Sequence, residues 1–215
     1  MSDTNTAGHA DLMNSVYRGQ RHIYDLTRKY YLFGRDRVIA NLDCAPGDAV
    51  LEIACGTGRN LDRVRAAYPG VRLFGIDISR EMLINARRTL GKEAGLAVAD
   101  ATDFDAAAVL GKAQFDRVIF SYSLSMIPGW ERALNHAATL VAPGGSLHIV
   151  DFGTLAQMPF PLARLLRSWL SRFHVEPRTD LVANAQQLAR ARGLQCTVEY
   201  GWLSYFTRIA LHRPG

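Results

Sequence analysis

Long apolar runs are missing from this chain, and cysteine is scarce. No stretch of 18 apolar residues occurs, so no membrane-spanning helix is expected. The N-terminus lacks the basic, apolar and small-residue succession of a secretory signal. The three cysteines, Cys44, Cys55 and Cys196, are widely spaced and odd in number. That argues against a disulfide framework or zinc site and for a reducing compartment. The six histidines show no H-x-x-x-H or Cys/His ligand spacing, so no metal is implied. Acids are sparse toward the C-terminus. Residues 1–151 carry 17 Lys+Arg against 17 Asp+Glu, whereas the last 64 carry 8 Arg against 3 acids, which puts the whole net charge of +5 beyond Asp151. Internal repeats and low-complexity linkers are absent, and 215 residues suffice for one domain with a substantial core.

What the chain does have is concentrated in Val50-Leu-Glu-Ile-Ala-Cys-Gly-Thr-Gly-Arg-Asn60. This reads as a buried strand, a glycine turn and a helix opening near Arg59. Gly56 and Gly58 allow a sharp turn and close approach of a ligand to the main chain. The helix start behind them offers unpaired N–H groups to anionic or carboxyl groups. Twenty-five residues after Glu52, Asp77 closes a second strand, Val71–Asp77. A carboxylate there can accept hydrogen bonds from both hydroxyls of a ribose. The order strand, turn, helix, strand, acid predicts a nucleoside-cofactor site. A dinucleotide site would want a third glycine where Leu61 stands, and Leu61 falls with Val64 and Tyr68 on an apolar helical stripe. A phosphate-binding P-loop would want Lys-Ser or Lys-Thr after the glycines, and neither pair is there.

The stretch resembles the first motif of the class I S-adenosylmethionine-dependent methyltransferases, acid-x-G-x-G-x-G, with Ala54 in place of the first glycine. The resemblance implies that Glu52, Ala54, Cys55, Gly56, Gly58, Asn60 and Asp77 belong to the cofactor site, with Cys55 filling the tight turn. It implies that Ile78 and Met82 flank the adenine and that Asp100-Ala101 hold its amino group. Ser121, Tyr122 and the segment to Met126 would lie under the methionine part. S-adenosyl-L-methionine is then the cofactor and S-adenosyl-L-homocysteine its product. Strands are expected at Leu96–Asp100, Phe115–Ser121 and Ser146–Asp151, the last after a Pro143-Gly144-Gly145 turn. Helices are expected at 58–67, 79–90, 130–141 and 181–191, with a short element near 104–110 and a closing hairpin of Gln195–Tyr200 and Tyr205–Leu211. The expected fold is α/β, a Rossmann-like doubly wound sheet of seven strands with the last antiparallel, under an N-terminal helical cap. Residues 1–10 read as a disordered tail, 11–43 as the cap and 44–215 as the cofactor-binding domain.

Between Tyr17 and Arg37 stand four tyrosines, five arginines and a lysine. Tyr17, Arg21 and Tyr24 share a helix face at i, i+4 and i+7. Such a face can hold a carboxylate through Arg21 while tyrosines enclose a sulfonium or ammonium. Tyr31 and Arg35 follow as substrate-side candidates. Tyrosines half buried with surface hydroxyls would give the same pattern for structural reasons. The segment Tyr17–Arg37, with Glu52–Asn60 and Ser121–Trp130, looks like the bacterial diacylglyceryl-homoserine N-methyltransferases. That resemblance implies trimethylation of the homoserine amine of diacylglyceryl-homoserine to a betaine lipid, with Tyr17, Arg21, Tyr24 and Tyr122 around the reacting centre. It also implies functional coupling to the enzyme that makes the homoserine lipid. Phosphatidylethanolamine N-methylation, small-molecule methylation and a non-catalytic cofactor-binding subunit remain as alternatives.

The basic C-terminal region contains Pro159–Phe173, which reads as an amphipathic helix. Leu162, Leu165, Leu166, Trp169, Leu170 and Phe173 form one apolar face, with Arg164, Arg167 and Arg172 off or beside it. Either the helix packs on the sheet, or it lies on an anionic membrane surface. The second reading places the protein in the cytoplasm, peripheral to the inner face of the cell membrane. Nucleic acid is not an expected partner, because the arginines border bulky aliphatic groups rather than a polar aromatic stripe.

Overall fold

Ala49–Ile53 (β1) is buried at every position, as expected of a central parallel strand covered on both faces. The computed structural model describes residues 32–172 and 175–215. Along it follow α1 (Arg35–Ala40), β1, α2 (Arg59–Ala67), β2 (Arg72–Asp77), α3 (Arg80–Leu90), β3 (Gly95–Val98) and α4 (Ala106–Leu110). Then come β4 (Phe115–Ser121), α5 (Trp130–Thr139), β5 (Val141–Phe152), α6 (Phe160–Ser171), α7 (Leu181–Arg192) and β6 (Gln195–Tyr200), with a 3₁₀ turn at Trp202–Ser204 before β7 (Phe206–His212). The seven strands form one sheet in the order β3-β2-β1-β4-β5-β7-β6. β7 alone runs against its neighbours, pairing antiparallel with β5 and β6. This is the doubly wound α/β sheet anticipated from the sequence.

Period-two alternation in the strands feeds two cores. Ala49, Leu51, Ile53, Leu147 and Ile149 point to one face, where α4, α5 and α7 pack; Val50, Val150 and Phe152 point to the other, under α1, α2, α3 and α6. Leu61 and Val64 are buried in the second core, as their helical stripe predicts. Ser79 caps α3, its Oγ accepting from the Met82 N–H at 3.3 Å. Gly193, at φ 66°, closes α7.

Three expectations change. β3 stops at Val98 instead of Asp100, because Asp100 Oδ1 accepts the Thr102 N–H at 2.9 Å and turns the chain. Pro143-Gly144-Gly145 lies within β5 as a bulge opposite Asp116, where a side chain at 145 would meet the Asp116 carbonyl at 2.7 Å. The cap is not helical through residue 43: α1 begins after Gly34 and ends at Ala40, and Asp43 has φ 51°. Residues 11–31 of that expected helix lie outside the described residues.

Candidate functional site: a cleft at the carboxyl edge of the sheet

The carboxyl ends of β1 and β4 meet the first turns of α2 and α3 at a cleft of about 230 Å³. Its lining comprises Arg35, Glu52, Ala54, Cys55, Gly56, Thr57, Arg59, Asn60, Met82 and Ser121. Seven of the expected cofactor residues therefore share one cavity with Arg35, the expected substrate-side arginine.

The glycine turn owes its shape to local backbone demands. Gly56 and Gly58 have φ of 55° and 77°, and Gly58 also packs against α3, with Leu90 Cδ1 2.9 Å from where a side chain would begin. Ala54 adopts φ 58°, a left-handed conformation normally left to glycine. The chain thus keeps the turn while paying for a methyl group at its first position. Behind the turn, Cys55 Sγ lies 2.8 Å from where a Gly75 side chain would begin. The thiol fills the space beside Gly75 of β2, and burial raises its pKa well above the usual thiol value.

Asp77 locks the turn from β2. Its Oδ2 accepts the Gly56 N–H at 2.8 Å and its Oδ1 accepts the Ser79 N–H at 2.8 Å. Each carboxylate oxygen has further lone pairs, so the group can bind backbone and hydroxyl donors together. Glu52, buried at the end of β1, accepts from Asn60 Nδ2 at 2.7 Å. Met82 joins the lining from the first turn of α3. Gly58, Asp77, Ile78, Asp100 and Ala101 fall outside the lining; Asp77 borders it through its bond to Gly56, and Ala101 is buried in the core with Ile76 and Phe104.

Three buried polar atoms of the lining find no hydrogen-bond partner among the described residues: Arg59 Nη1, Asn60 Oδ1 and Ser121 Oγ. A native fold rarely leaves such atoms idle, so the cleft is built for a polar ligand. Arg59 and Thr57 are the site residues that motif reading passed over. The signal for Arg59 was present: it opens α2, where the helix dipole disfavours a cation unless an anion sits close by.

Tyr122 differs from its expected role at the reacting centre. It is buried, at φ 54°, and its hydroxyl donates to the Phe33 carbonyl. Burial, chiefly, holds the phenol protonated far above its usual range. The hydroxyl thus ties Leu32–Gly34 to the loop after β4 and leaves Arg35 in the cleft. The loop has two further anchors. Buried Asp151 accepts the Ser125 N–H at 3.1 Å, and Arg178 donates to the Leu124 and Ile127 carbonyls at 3.2 and 3.3 Å. Tyr17, Arg21, Tyr24 and Tyr31 lie outside the described residues.

Helix α6 divides its apolar face. Ala163 and Leu170 are buried and Leu166 is partly so, while Leu162 and Leu165 remain exposed and Trp169 is half-buried. Arg164 is exposed, whereas Arg167 donates to the Thr154 carbonyl at 2.9 Å. No helix among the described residues is long and apolar enough to cross a membrane.

The comparisons agree with this geometry. Residues 51–147 match the family described as Methyltransferase domain. The chain is 30% identical over 182 residues, 83% of its length and 67% of the relative's, to the ubiquinone/menaquinone biosynthesis C-methyltransferase UbiE of Paracoccus denitrificans. It is 32% identical over 136 residues to the demethylmenaquinone methyltransferase of Corynebacterium urealyticum, and there it spans 55% of the relative, about half its length. Among solved structures, the Haemonchus contortus phosphoethanolamine N-methyltransferase 2 superimposes with a TM-score of 0.71 at 14% identity, covering 96% of this chain and 60% of that one. The methyltransferase complexed with the Haloferax volcanii Trm112 activator gives 0.69 at 16% identity, covering 94% and 97%. Identities that low speak to the fold alone. The chain belongs to the class I S-adenosylmethionine-dependent methyltransferases.

Proposed function

We propose that this methyltransferase acts on the amine of a membrane-lipid headgroup that also carries a carboxylate, diacylglyceryl-homoserine, and transfers three methyl groups to give the betaine lipid. The observation that carries this reading is the position of Arg35. The residue lies near the end of the Tyr/Arg-rich segment and lines the cofactor cleft together with Glu52 and Ser121. An arginine at the junction of segment and cleft suits a carboxylate on the acceptor, which it can grip with two parallel N–H donors.

S-adenosylmethionine supplies an electrophilic methyl group on a sulfonium. Asp77 would hold its ribose hydroxyls, Met82 the apolar side of the nucleoside, and Arg59 its carboxylate, with Asn60 and Ser121 as further polar contacts. The protein's task is to align a neutral amine behind the methyl group and to exclude water. Arg35 would fix the acceptor carboxylate, and the loop after β4, held by Asp151 and Arg178, would form a fixed wall. Tyr122 serves there as a tether, since its phenol is already bonded and kept protonated. The amine's proton therefore leaves to water, while the aromatic rings of Tyr17 and Tyr24 in the N-terminal segment would suit the growing cation. Coupling to the enzyme that supplies the homoserine lipid, at the cytoplasmic face of the membrane, belongs to the same proposal.

The curated relatives favour a second reading, carbon methylation of a quinone ring. One experiment separates the two. The purified chain is incubated with labelled S-adenosylmethionine and, in parallel, diacylglyceryl-homoserine, phosphatidylethanolamine and a demethylmenaquinol in mixed micelles. Mass analysis should find products heavier by one, two and three methyl groups with the homoserine lipid. Label in the quinol alone refutes the amine reading, and label in no acceptor favours a non-catalytic subunit.

A further inference from the structure

Five of the nine exposed large apolar side chains among the described residues gather at one end of the molecule, the other four being Ile84, Val98, Val109 and Tyr200. Phe160 and Leu165 in α6 are 74% and 67% exposed, and Trp202 in the turn between β6 and β7 is 77% exposed. Leu162 and Phe33 are exposed as well. These belong to one continuous unit. The Phe33 ring stands edge-on to Tyr205 at 5.5 Å, and the Tyr205 N–H donates to the Trp202 carbonyl. Leu155 donates its N–H to Ser204, and Arg167 of α6 reaches back to Thr154. All of it sits where β5 ends and β7 begins, Phe152 being paired with Phe206. The cofactor cleft opens at that same edge, at the ends of β1 and β4.

Charge narrows the choice of what covers this edge. Projected down α6 at 100° per residue, Leu162, Leu165 and Trp169 form a strip beside the buried Ala163–Leu166–Leu170 stripe. Arg172 and Arg164 follow on the strip's outer side, both exposed, and the helix carries no acid. An apolar strip flanked by free cations matches an anionic bilayer surface, where aliphatic groups and an indole enter the headgroup boundary and arginines meet lipid phosphates.

We propose that this edge of the sheet is the face the protein lays on an anionic membrane, with Phe33, Leu162, Leu165 and Trp202 inserted and Arg164 and Arg172 on the headgroups. The cleft then opens toward the bilayer, and an acceptor is methylated with its acyl chains still in the membrane. This rests on the reading that the acceptor is membrane-borne, and it holds for a lipid amine or a polyprenyl quinone alike.

The test uses the full chain and vesicles without acceptor, so it does not depend on which acceptor is correct. Co-sedimentation is measured with phosphatidylglycerol–phosphatidylcholine vesicles and with phosphatidylcholine alone, alongside tryptophan emission. We expect preferential pelleting with the anionic vesicles, a blue shift, and quenching by brominated lipid that Trp202→Phe lowers and Trp202→Phe with Trp169→Phe removes. Leu165→Glu with Trp202→Glu should lower the partition coefficient about tenfold or more. Arg164→Glu with Arg172→Glu should lower it by about as much at low salt, and less as salt rises. Both variants should keep the unfolding midpoint and S-adenosylhomocysteine affinity of the parent, which separates docking from misfolding. Equal pelleting with both vesicle types, or binding untouched by either double variant, overturns the proposal. So does an apolar-patch variant that merely turns a dimer into monomers, since a second copy would then own the face. Absence of binding by a monomer overturns it too. If vesicle binding holds while no lipid amine is methylated, the face stands and the acceptor reading falls.

Discussion

Replacing Asp77 by asparagine changes one atom and should be felt twice. The carboxylate takes one backbone N–H on each oxygen, from Gly56 and Ser79, both at 2.8 Å in a buried setting. Asparagine keeps one carbonyl oxygen but turns an NH₂ toward the other donor. One buried N–H thereby loses its acceptor, at a cost of about 1–3 kcal/mol. For a protein of this length, about 2 kcal/mol lowers Tm by roughly 4–8 °C. The second effect falls on the cofactor. Losing a charged acceptor for a ribose hydroxyl costs about 1.5–3 kcal/mol, roughly a ten- to hundredfold weaker Kd. Calorimetry with S-adenosylhomocysteine and with 5′-methylthioadenosine, which keeps the ribose and lacks the amino-acid end, should find both weakened alike. Scanning calorimetry reads the stability term independently. An Asp77→Asn protein with unchanged Tm and unchanged affinity for both ligands would refute the reasoning, and preferential NAD binding by the parent would refute the site assignment.

Arg59→Gln should do the complementary thing, weakening S-adenosylhomocysteine about tenfold or more while leaving 5′-methylthioadenosine nearly unaffected; equal losses would mean that Arg59 does not meet the carboxylate. Ala54→Gly should raise stability, because the left-handed conformation costs a non-glycine residue about 1–2 kcal/mol and glycine returns about 0.4–1 of that through unfolded-chain entropy. A net gain near 0.5–1 kcal/mol is expected in urea titrations, and a loss would show that the methyl group packs usefully. His148, bonded to Ser146 Oγ at 2.8 Å, has its pKa lowered from 6.5 to about 3, mainly by burial and then by His212 and nearby arginines. The fold accepts the neutral ring, so its contribution is intact above pH ~6.5 and declines as pH falls toward about 3, by roughly 1.4 kcal/mol per pH unit. Asp151, raised by burial, pulls in the opposite sense. The difference between parent and His148→Gln isolates the histidine and should shrink as the pH is lowered through that window; a pH-independent difference would contradict it.

The cofactor edge was legible because it is written locally. A buried strand, two glycines and a helix start within eleven residues leave little freedom, and the acid closing the next strand completes them. The cap at Ser79 and the stop at Gly193 are equally local. What escaped reading depends on contacts between distant residues. Tyr122 looked like a group at the reacting centre, yet its hydroxyl is spent on a carbonyl 89 residues away. Asp151 and Arg178 drew no attention, since their partners in the loop after β4 lie 26 to 54 residues off. The apolar face of Pro159–Phe173 appeared whole in sequence. How much of it the core would cover was a matter of the sheet beneath, which left Leu162 and Leu165 outside. Arg59 could have been found, because a cation at a helix start runs against the dipole.

The anchoring of the loop after β4 has a consequence for how such an enzyme changes its acceptor over evolutionary time. Asp151 and Arg178 hold this wall through main-chain groups, so a side-chain change within Ser121–Ile127, Tyr122 apart, leaves those bonds intact, while a change at either anchor costs the wall itself. The segment before α1 is bound to the wall by Tyr122 through a carbonyl, a group every residue possesses. The Phe33 side chain can be exchanged without breaking that bond, whereas Gly34, at φ 84° and against the Phe206 ring, has no room for one. Selection for a new acceptor meets least resistance there, and the methyl-donor half of the cleft is passed on unaltered.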